Sequence, residues 1–243
     1  MKYSIQTVLS TALLPLVELE EKQVVVIDIL RATTCMCTAL ANGAECIIPV
    51  ATREEARSYS ERGYLVASER DGAKLDFAHF GNSPSEFTPE RVKEQEIVYS
   101  TTNGTRAITS TGRARTVLIG AFTNLTPLAE YLSRQADADL VLVCSGWKGQ
   151  FNLEDTLFAG ALAKRLLASG EYSVFDDPTN AALDLWRNAE SDLLGYVQRV
   201  THRKRLENIG VLDSFEDCFQ VDSTPIVPQF VAGRILPAPA ARG

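Results

Sequence analysis

Three short stretches place carboxylates, guanidiniums and hydroxyls at points where an apolar run gives way to a segment of helical character. The first ends a β-branched run in Asp28 and continues through Arg31, Thr33 and Thr34. The second is Ser100-Thr101-Thr102-Asn103-Gly104-Thr105-Arg106, and the third leads from Cys144 through Gly149 and Asn152 to Glu154 and Asp155. Helix starts offer unpaired N–H groups and a positive dipole end, which suit phosphate or sulfonate. The hydroxyls add donors, and Arg31 and Arg106 can grip an oxyanion in bidentate fashion. Asp28, Glu154 and Asp155 are oxygen donors of the kind that suit Mg²⁺, which takes one or two carboxylates and completes its shell with water and substrate phosphate oxygens. The chemistry implied is binding, and with a metal transfer, of a phosphoryl group on a small anionic molecule.

Each stretch also has a simpler reading. Ser, Thr and Asn before a helix are preferred N-caps, and Asn152 with Asp155 three residues on resembles a capping box. Glu154 could serve the helix dipole alone. Asp28 is harder to dismiss, because an acid at the end of an apolar strand is costly to bury without a partner, although Arg31 is an available one. A long excursion over 63–96 adds Glu69, Arg70, His79, Asn82 and Ser83 as further candidates; long excursions in compact domains are often functional.

Several chemistries are excluded or disfavoured. No G-x-x-x-x-G-K-[ST] and no G-x-G-x-x-G after a strand occurs, so nucleotide binding lacks its motif. Two histidines, His79 and His202, are too few for a histidine-rich metal centre, and no G-x-S-x-G supports a serine triad. A net charge of −7 without a basic stripe argues against nucleic acid as partner. The basic cluster at 202–205 reads as a solvated helix face near a C-terminus. Five cysteines without a C-x-x-C pair point to free thiols in a reducing compartment, and no leader or membrane-length apolar stretch is present, so a cytoplasmic location is expected. A homo-oligomer is left open.

These residues need a frame to hold them. Continuous apolar runs at 24–29, 46–50, 97–99, 116–119 and 140–144 suit strands covered on both faces. Between them, helices are expected at 32–41, 53–62, 105–111, 125–135 and 153–168. The alternation implies an α/β three-layer sandwich with a mostly parallel or mixed sheet flanked by helices. Residues 1–243 read as one domain, more helical after about 170 and Pro-rich over 225–239. In an open α/β sheet, loops after parallel strands crowd at one edge, so the three stretches are expected to share a pocket.

The ordered segments IDILRATTCMCTAL, SERDGAKLDFAHFGNSP, STTNGTRAI and CSGWKGQFNLEDTLFAG, with the closing HRKRLENIGVLDSFEDCFQVDSTPIVP, resemble the 2-phosphosulfolactate phosphatase family. The resemblance implies an α/β, magnesium-dependent hydrolase that converts 2-phosphosulfolactate to 3-sulfolactate and phosphate in coenzyme M biosynthesis. It places Asp28, Arg31, Thr33 and Thr34 in the first motif, Glu69 and Arg70 in the second, Ser100 to Arg106 in the third, and Gly149, Glu154 and Asp155 in the fourth. The expected mechanism has Asp28 with Glu154 and Asp155 on Mg²⁺, Arg31, Arg106 and the hydroxyl loops on the phosphoryl group, attack by water, and Glu69 assisting as an acid. His79 stands where the family commonly has Asp, and Asn152 replaces a Ser. The competing expectations are a phosphatase for another phosphorylated 2-hydroxy acid, or a binder of small phosphates and sulfonates without catalysis.

Overall fold

The computed structural model describes residues 2–212 and 214–239. Its first half comprises β1 (Tyr3–Val8), β2 (Gln23–Ile27), α1 (Ala32–Ala41), β3 (Cys46–Pro49), α2 (Arg53–Glu61), β4 (Leu65–Arg70), β5 (Ala73–Lys74), α3 (Pro89–Val92), β6 (Glu96–Ser100) and α4 (Gly104–Ser110). There follow β7 (Thr116–Gly120), α5 (Leu125–Arg134), β8 (Leu140–Cys144), α6 (Leu153–Ala168), β9 (Tyr172–Val174), α7 (Asp177–Ala189), α8 (Leu193–Val197), α9 (Thr201–Asn208), β10 (Pro228–Val231) and β11 (Arg234–Pro237).

The fold is α/β, built on an eleven-stranded mixed sheet in the order β5-β4-β6-β3-β11-β10-β7-β2-β8-β1-β9. Side chains alternate across the central strands, which explains their unbroken apolar sequence. Val25, Ile27, Leu140 and Leu142 enter the core under α5, α6 and α7. Val24, Val26, Val141 and Val143 enter the opposite core with Met36 and Ala39 of α1 and Ile108 of α4. Strands buried on both faces have no polar side to alternate with.

The Pro-rich tail forms the β10–β11 hairpin, which inserts between two parallel blocks, β4-β6-β3 and β7-β2-β8-β1-β9. Pro228 and Pro237 pair at its open end, where a missing N–H is tolerated. Ala232 and Gly233 turn the hairpin with φ of 50° and 80°, the left-handed pair that a tight two-residue loop requires. Since β3–β11, β11–β10 and β10–β7 are all antiparallel, the two parallel blocks run in opposite directions. The stretch 63–96, expected to be irregular, contains β4, β5 and α3.

Helix α6 is the central buried helix and meets α7 at Gly160. A Cβ there would collide with the backbone carbonyl of Ala182 and lie 2.9 Å from Trp186 Cβ. Backbone cannot swing aside as a side chain can, so Gly160→Ala is expected to lower stability by about 3 kcal/mol through forced separation of the two helices. Chemical denaturation checks this, and an unchanged midpoint would show that α7 shifts freely.

Candidate active site

The loops after β2, β4, β6 and β8 do converge, together with α9, around a small, partly open cavity of about 30 Å³. They come from two blocks running opposite ways, so the meeting is made across the twisted sheet and not along one edge of a parallel one. Asp28, Leu30 and Arg31 line the cavity from the end of β2, Glu69, Asp71 and Gly72 from the β4–β5 turn, and Asn82 from the loop beyond. Thr102 and Asn103 come from the end of β6, Trp147 from the loop after β8, and His202, Arg205, Leu206 and Ile209 from α9 and its end.

Asp28 follows β2 directly. Parallel pairing of Ile27 with Cys144 sets this strand end beside the third loop, and Ser145 N–H donates to Ile27 O at 2.8 Å. The Asp28 carboxylate is 8% exposed and accepts from Ala32 N–H at 3.3 Å. Its pKa is pushed up to about 6, first by burial and further by the carboxylates of Glu69 and Glu154, with His202 and the Ala32 N–H opposing. Arg31 is not its ion-pair partner among the described residues. The Arg31 guanidinium is 2% exposed, and its one long contact is Nη1 donating to Val211 O at 3.4 Å. A buried acid and a buried guanidinium therefore face one cavity without neutralising each other. Gly104 lets the start of α4 pack against this strand end: a Cβ there would sit 2.8 Å from Asp28 Oδ2 and 2.6 Å from Ala32 Cβ.

Most of the hydroxyls are already engaged. Thr33 Oγ1 donates to Asp28 O at 2.8 Å and accepts from Asp28 N–H, and Thr34 Oγ1 donates to Ile29 O at 2.9 Å. Thr101 and Thr105 bond reciprocally across the β6–α4 junction, with Thr105 Oγ1 donating to Thr101 O. A hydroxyl has one proton, so Thr33, Thr34 and Thr105 have none left for an anion. They do not cap the helices either, since neither α1 nor α4 has a side-chain cap bond; they tie the first turn of each helix back to the strand end before it. Thr102 differs: its Oγ1 accepts from Asp71 N–H at 3.3 Å, leaving its proton available at the cavity wall.

The remaining expected residues divide by position. Asn103 lines the cavity and accepts the Lys148 N–H at 3.1 Å. Arg106 lies outside it, exposed, in an adjoining open hollow of about 460 Å³ with Thr102, Asn103 and Lys148. Arg70 and Ser100 tie β4 to β6 through a 3.0 Å Nη2–Oγ bond. Asn82 accepts the Tyr99 hydroxyl at 2.6 Å, and Ser83 donates to Ser214 Oγ at 2.5 Å. Glu69 is buried, with Oε1 accepting Thr102 N–H at 2.8 Å and Oε2 accepting Gly72 N–H at 2.6 Å. It thus anchors the two loops that carry Thr102 and Asp71. His79, whose Nδ1 accepts Val66 N–H at 3.1 Å, is a structural histidine.

Of the two acids opening α6, Asp155 is 1% exposed and bridges separated backbone segments. Oδ1 accepts from Ile29 N–H and Oδ2 from Gly146 N–H, each at 3.0 Å. Burial, then the charges of Asp28 and Glu154, push its pKa well above the usual carboxylate range. Glu154 is 2% exposed with Oε1 3.0 Å from His202 Nδ1. Among the described residues no three His, Cys, Asp or Glu side chains form a ready-made metal cluster. What fits a divalent cation is Asp28, a desolvated carboxylate that Glu69 and Glu154 repel and that His202 and the Ala32 N–H only partly offset; Mg²⁺ needs no more than one or two such oxygens.

The residues missed from sequence are on α9 and the third loop. The basic cluster at 202–205, expected as a solvated face, sends His202 and Arg205 into the cavity wall, with Arg205 Cζ 4.2 Å from the Trp147 ring centroid. Their signal was present: His202, Arg205, Leu206 and Ile209 fall at i, i+3, i+4 and i+7, one helix face with two apolar members. All five cysteines are free and buried, and no described helix is long and apolar enough to cross a membrane.

Comparison with known proteins agrees in extent with this architecture. The model of the family described as 2-phosphosulpholactate phosphatase matches residues 9–233. A protein of Caldanaerobacter subterraneus subsp. tengcongensis named "Probable 2-phosphosulfolactate phosphatase" is 38% identical over 220 residues, 89% of this chain and 90% of its own. Proteins of the same name from Synechococcus sp. (strain JA-3-3Ab) and Thermotoga maritima are 41% identical over 218 residues and 37% over 219, covering 87% and 90% of this chain and 90% and 93% of theirs. With its motif-bearing loops gathered on one cavity and the match running through every element that lines it, the chain belongs to the 2-phosphosulfolactate phosphatase family.

Proposed function

We propose that this protein is a phosphoric monoester hydrolase acting on 2-phosphosulfolactate, releasing 3-sulfolactate and phosphate, with Mg²⁺ as cofactor and coenzyme M biosynthesis as its setting. The observation that carries the reading is the unneutralised pair at the cavity floor: Asp28, a carboxylate strained by burial, and Arg31, a guanidinium with almost no protein partner. Such a pair is poorly satisfied alone and well satisfied by a cation together with a phosphate.

In this reading Asp28 is the residue that holds Mg²⁺, which when bound neutralises charge on the phosphate oxygens and lowers the barrier to attack by water. Arg31 donates to the phosphate from the adjacent position, and the Thr102 hydroxyl adds a donor from the second loop. Glu69 keeps that loop in register through Thr102 N–H. Asp155 fixes the Asp28 strand end to the Gly146 turn and does not serve as a ligand. Glu154 faces His202 Nδ1 and orients the ring, so that in the imidazolium form Nε2–H is the donor that protonates the departing C2 oxygen. Arg106 lies in the open hollow next door, where it raises the local concentration of an anionic substrate.

Purified protein is expected to release phosphate from 2-phosphosulfolactate with Mg²⁺ present and to lose about 10³-fold in rate under excess chelator, the several kcal/mol that a bound cation contributes to phosphoryl transfer. Full activity in chelator would remove the cation from the site and leave the arginines to act alone.

A further inference from the structure

Arg205 is the cation that the phosphate chemistry leaves unused. It stands on α9 and lines the same cavity as Asp28 and Arg31. Its guanidinium stacks over Trp147 at 4.2 Å, which fixes the plane of the group while leaving its N–H edge free. Nε is buried with no hydrogen-bond partner, and Arg205 makes no ion pair among the described residues. Its neighbours Arg203 and Lys148 are satisfied by Glu207 and Asp71. A partly desolvated guanidinium held flat, which feels the charge of Glu154 but makes no ion pair with it and has no partner on Nε, is arranged for an anion from outside the chain.

Resting on the phosphatase reading above, we propose that Arg205 recognises the sulfonate of the substrate and so selects 2-phosphosulfolactate over phosphorylated 2-hydroxy acids that lack it. The name of the substrate specifies three anionic groups on a three-carbon frame: a carboxylate, a phosphate on the C2 oxygen and a sulfonate on C3. With the phosphate at Asp28 and Arg31, a distal group on the same short frame meets the rest of the cavity wall, of which Arg205 is part. A sulfonate is a weak base with three oxygens and a single charge, poorly suited to a hard cation and well suited to a fork of N–H donors. A site built to hydrogen-bond one group rejects an analogue without it, because its own polar atoms are then left unpaired.

The test compares wild type, Arg205→Gln and Arg205→Lys in two measurements. In the first, the ratio of kcat/KM for 2-phosphosulfolactate to that for 2-phospholactate, which lacks the sulfonate, is expected to fall about 10- to 100-fold in Arg205→Gln, with a smaller fall in Arg205→Lys. An unchanged ratio, whatever the absolute rates, overturns the proposal, because a structural role or a phosphate contact would affect both substrates alike. In the second, calorimetry with 3-sulfolactate is expected to show affinity falling by a similar factor in Arg205→Gln. If wild type hydrolyses neither ester yet binds 3-sulfolactate through Arg205, the phosphatase reading falls and the sulfonate site stands. If wild type does not bind 3-sulfolactate, or Arg205→Gln binds it equally well, the sulfonate site falls. Should Arg205→Gln fail to fold, Arg205→Lys, which keeps stem and charge, decides by the same ratio.

Discussion

Asp28→Asn is expected to lower turnover by about 10³-fold and, in chelator at pH 7.5, to raise the stability of the protein. The loss follows from removing the carboxylate that, in the proposed site, would face both the cation and the phosphate; deleting one preorganised electrostatic group typically costs 10²- to 10³-fold or more. The gain follows from the raised pKa. The group titrates near 6 in the folded protein against an ordinary value of 3.8, so the folded state binds the proton more tightly than the unfolded chain. That contribution is fully present below about pH 4 and is lost as pH rises through about 6. At neutral pH the ionised Asp28 therefore costs up to about 3 kcal/mol, each tenfold change in proton affinity being worth about 1.4 kcal/mol. Asparagine removes the charge and keeps an oxygen to accept from Ala32 N–H. Urea unfolding of both proteins from pH 4 to pH 8 checks this: the advantage of the variant should grow through pH 6 and vanish near pH 4. A variant less stable than wild type at pH 7.5 would show that Asp28 is a structural acid.

Asp155→Ala is expected to have the opposite sign, costing about 3–5 kcal/mol and abolishing activity with or without Mg²⁺. Both carboxylate oxygens accept from buried backbone N–H groups, of Ile29 and of Gly146. Removing them strands two donors at about 1–3 kcal/mol each and frees the strand end that carries Asp28 from the turn that carries Trp147. The left-handed conformation of Gly146, at φ 64°, places its N–H for this bond, and a Cβ there would collide with Gln150 O. Burial and the neighbouring charges oppose ionisation of Asp155, so part of the lost bonding is offset by relief of a strained charge. Asp155→Asn, which keeps one acceptor, should fall between wild type and alanine. A metal ligand would behave otherwise: its removal in chelator would be neutral or stabilising, as for Asp28. The two acids thus separate by the sign of one measurement.

The frame of the molecule was largely legible. The helix expected at 32–41 is α1 (Ala32–Ala41), that at 153–168 is α6 (Leu153–Ala168), and the five apolar runs became β2, β3, β6, β7 and β8 within a residue or two. Such segments announce themselves because burial on both faces leaves no polar residue in them. Of the strands that were not expected, β5 and β9 are short, β1 and β4 carry polar residues among their apolar ones, and prolines punctuate the β10–β11 hairpin. Their strand character comes from the neighbours they hydrogen-bond, which local composition does not record.

At the site, the residue types available for chemistry could be read from the chain, and so could the chemical class of ligand they suit. Asp28, Arg31, Glu69, Asn82, Thr102 and Asn103 were all candidates and all line the cavity. Local sequence could not say which of them are free to act. A threonine hydroxyl holds one proton, and whether Thr33 spends it on Asp28 O or offers it outward depends on the loop geometry, which long-range packing sets. The same holds for Asp155, whose partners lie nine residues ahead of it and 126 residues away along the chain. Helix α9 is the clearest case: its basic cluster suits solvent or a cavity equally, and only the packing of Leu206 and Ile209 onto the site turns His202 and Arg205 inward. Sequence determined the local strands, the helix starts and the stock of charged groups, because these depend on near neighbours. Convergence of oppositely running blocks, and the choice of which polar atoms remain unpaired at their meeting point, came from the assembled core, because each is a relation between segments far apart in the chain.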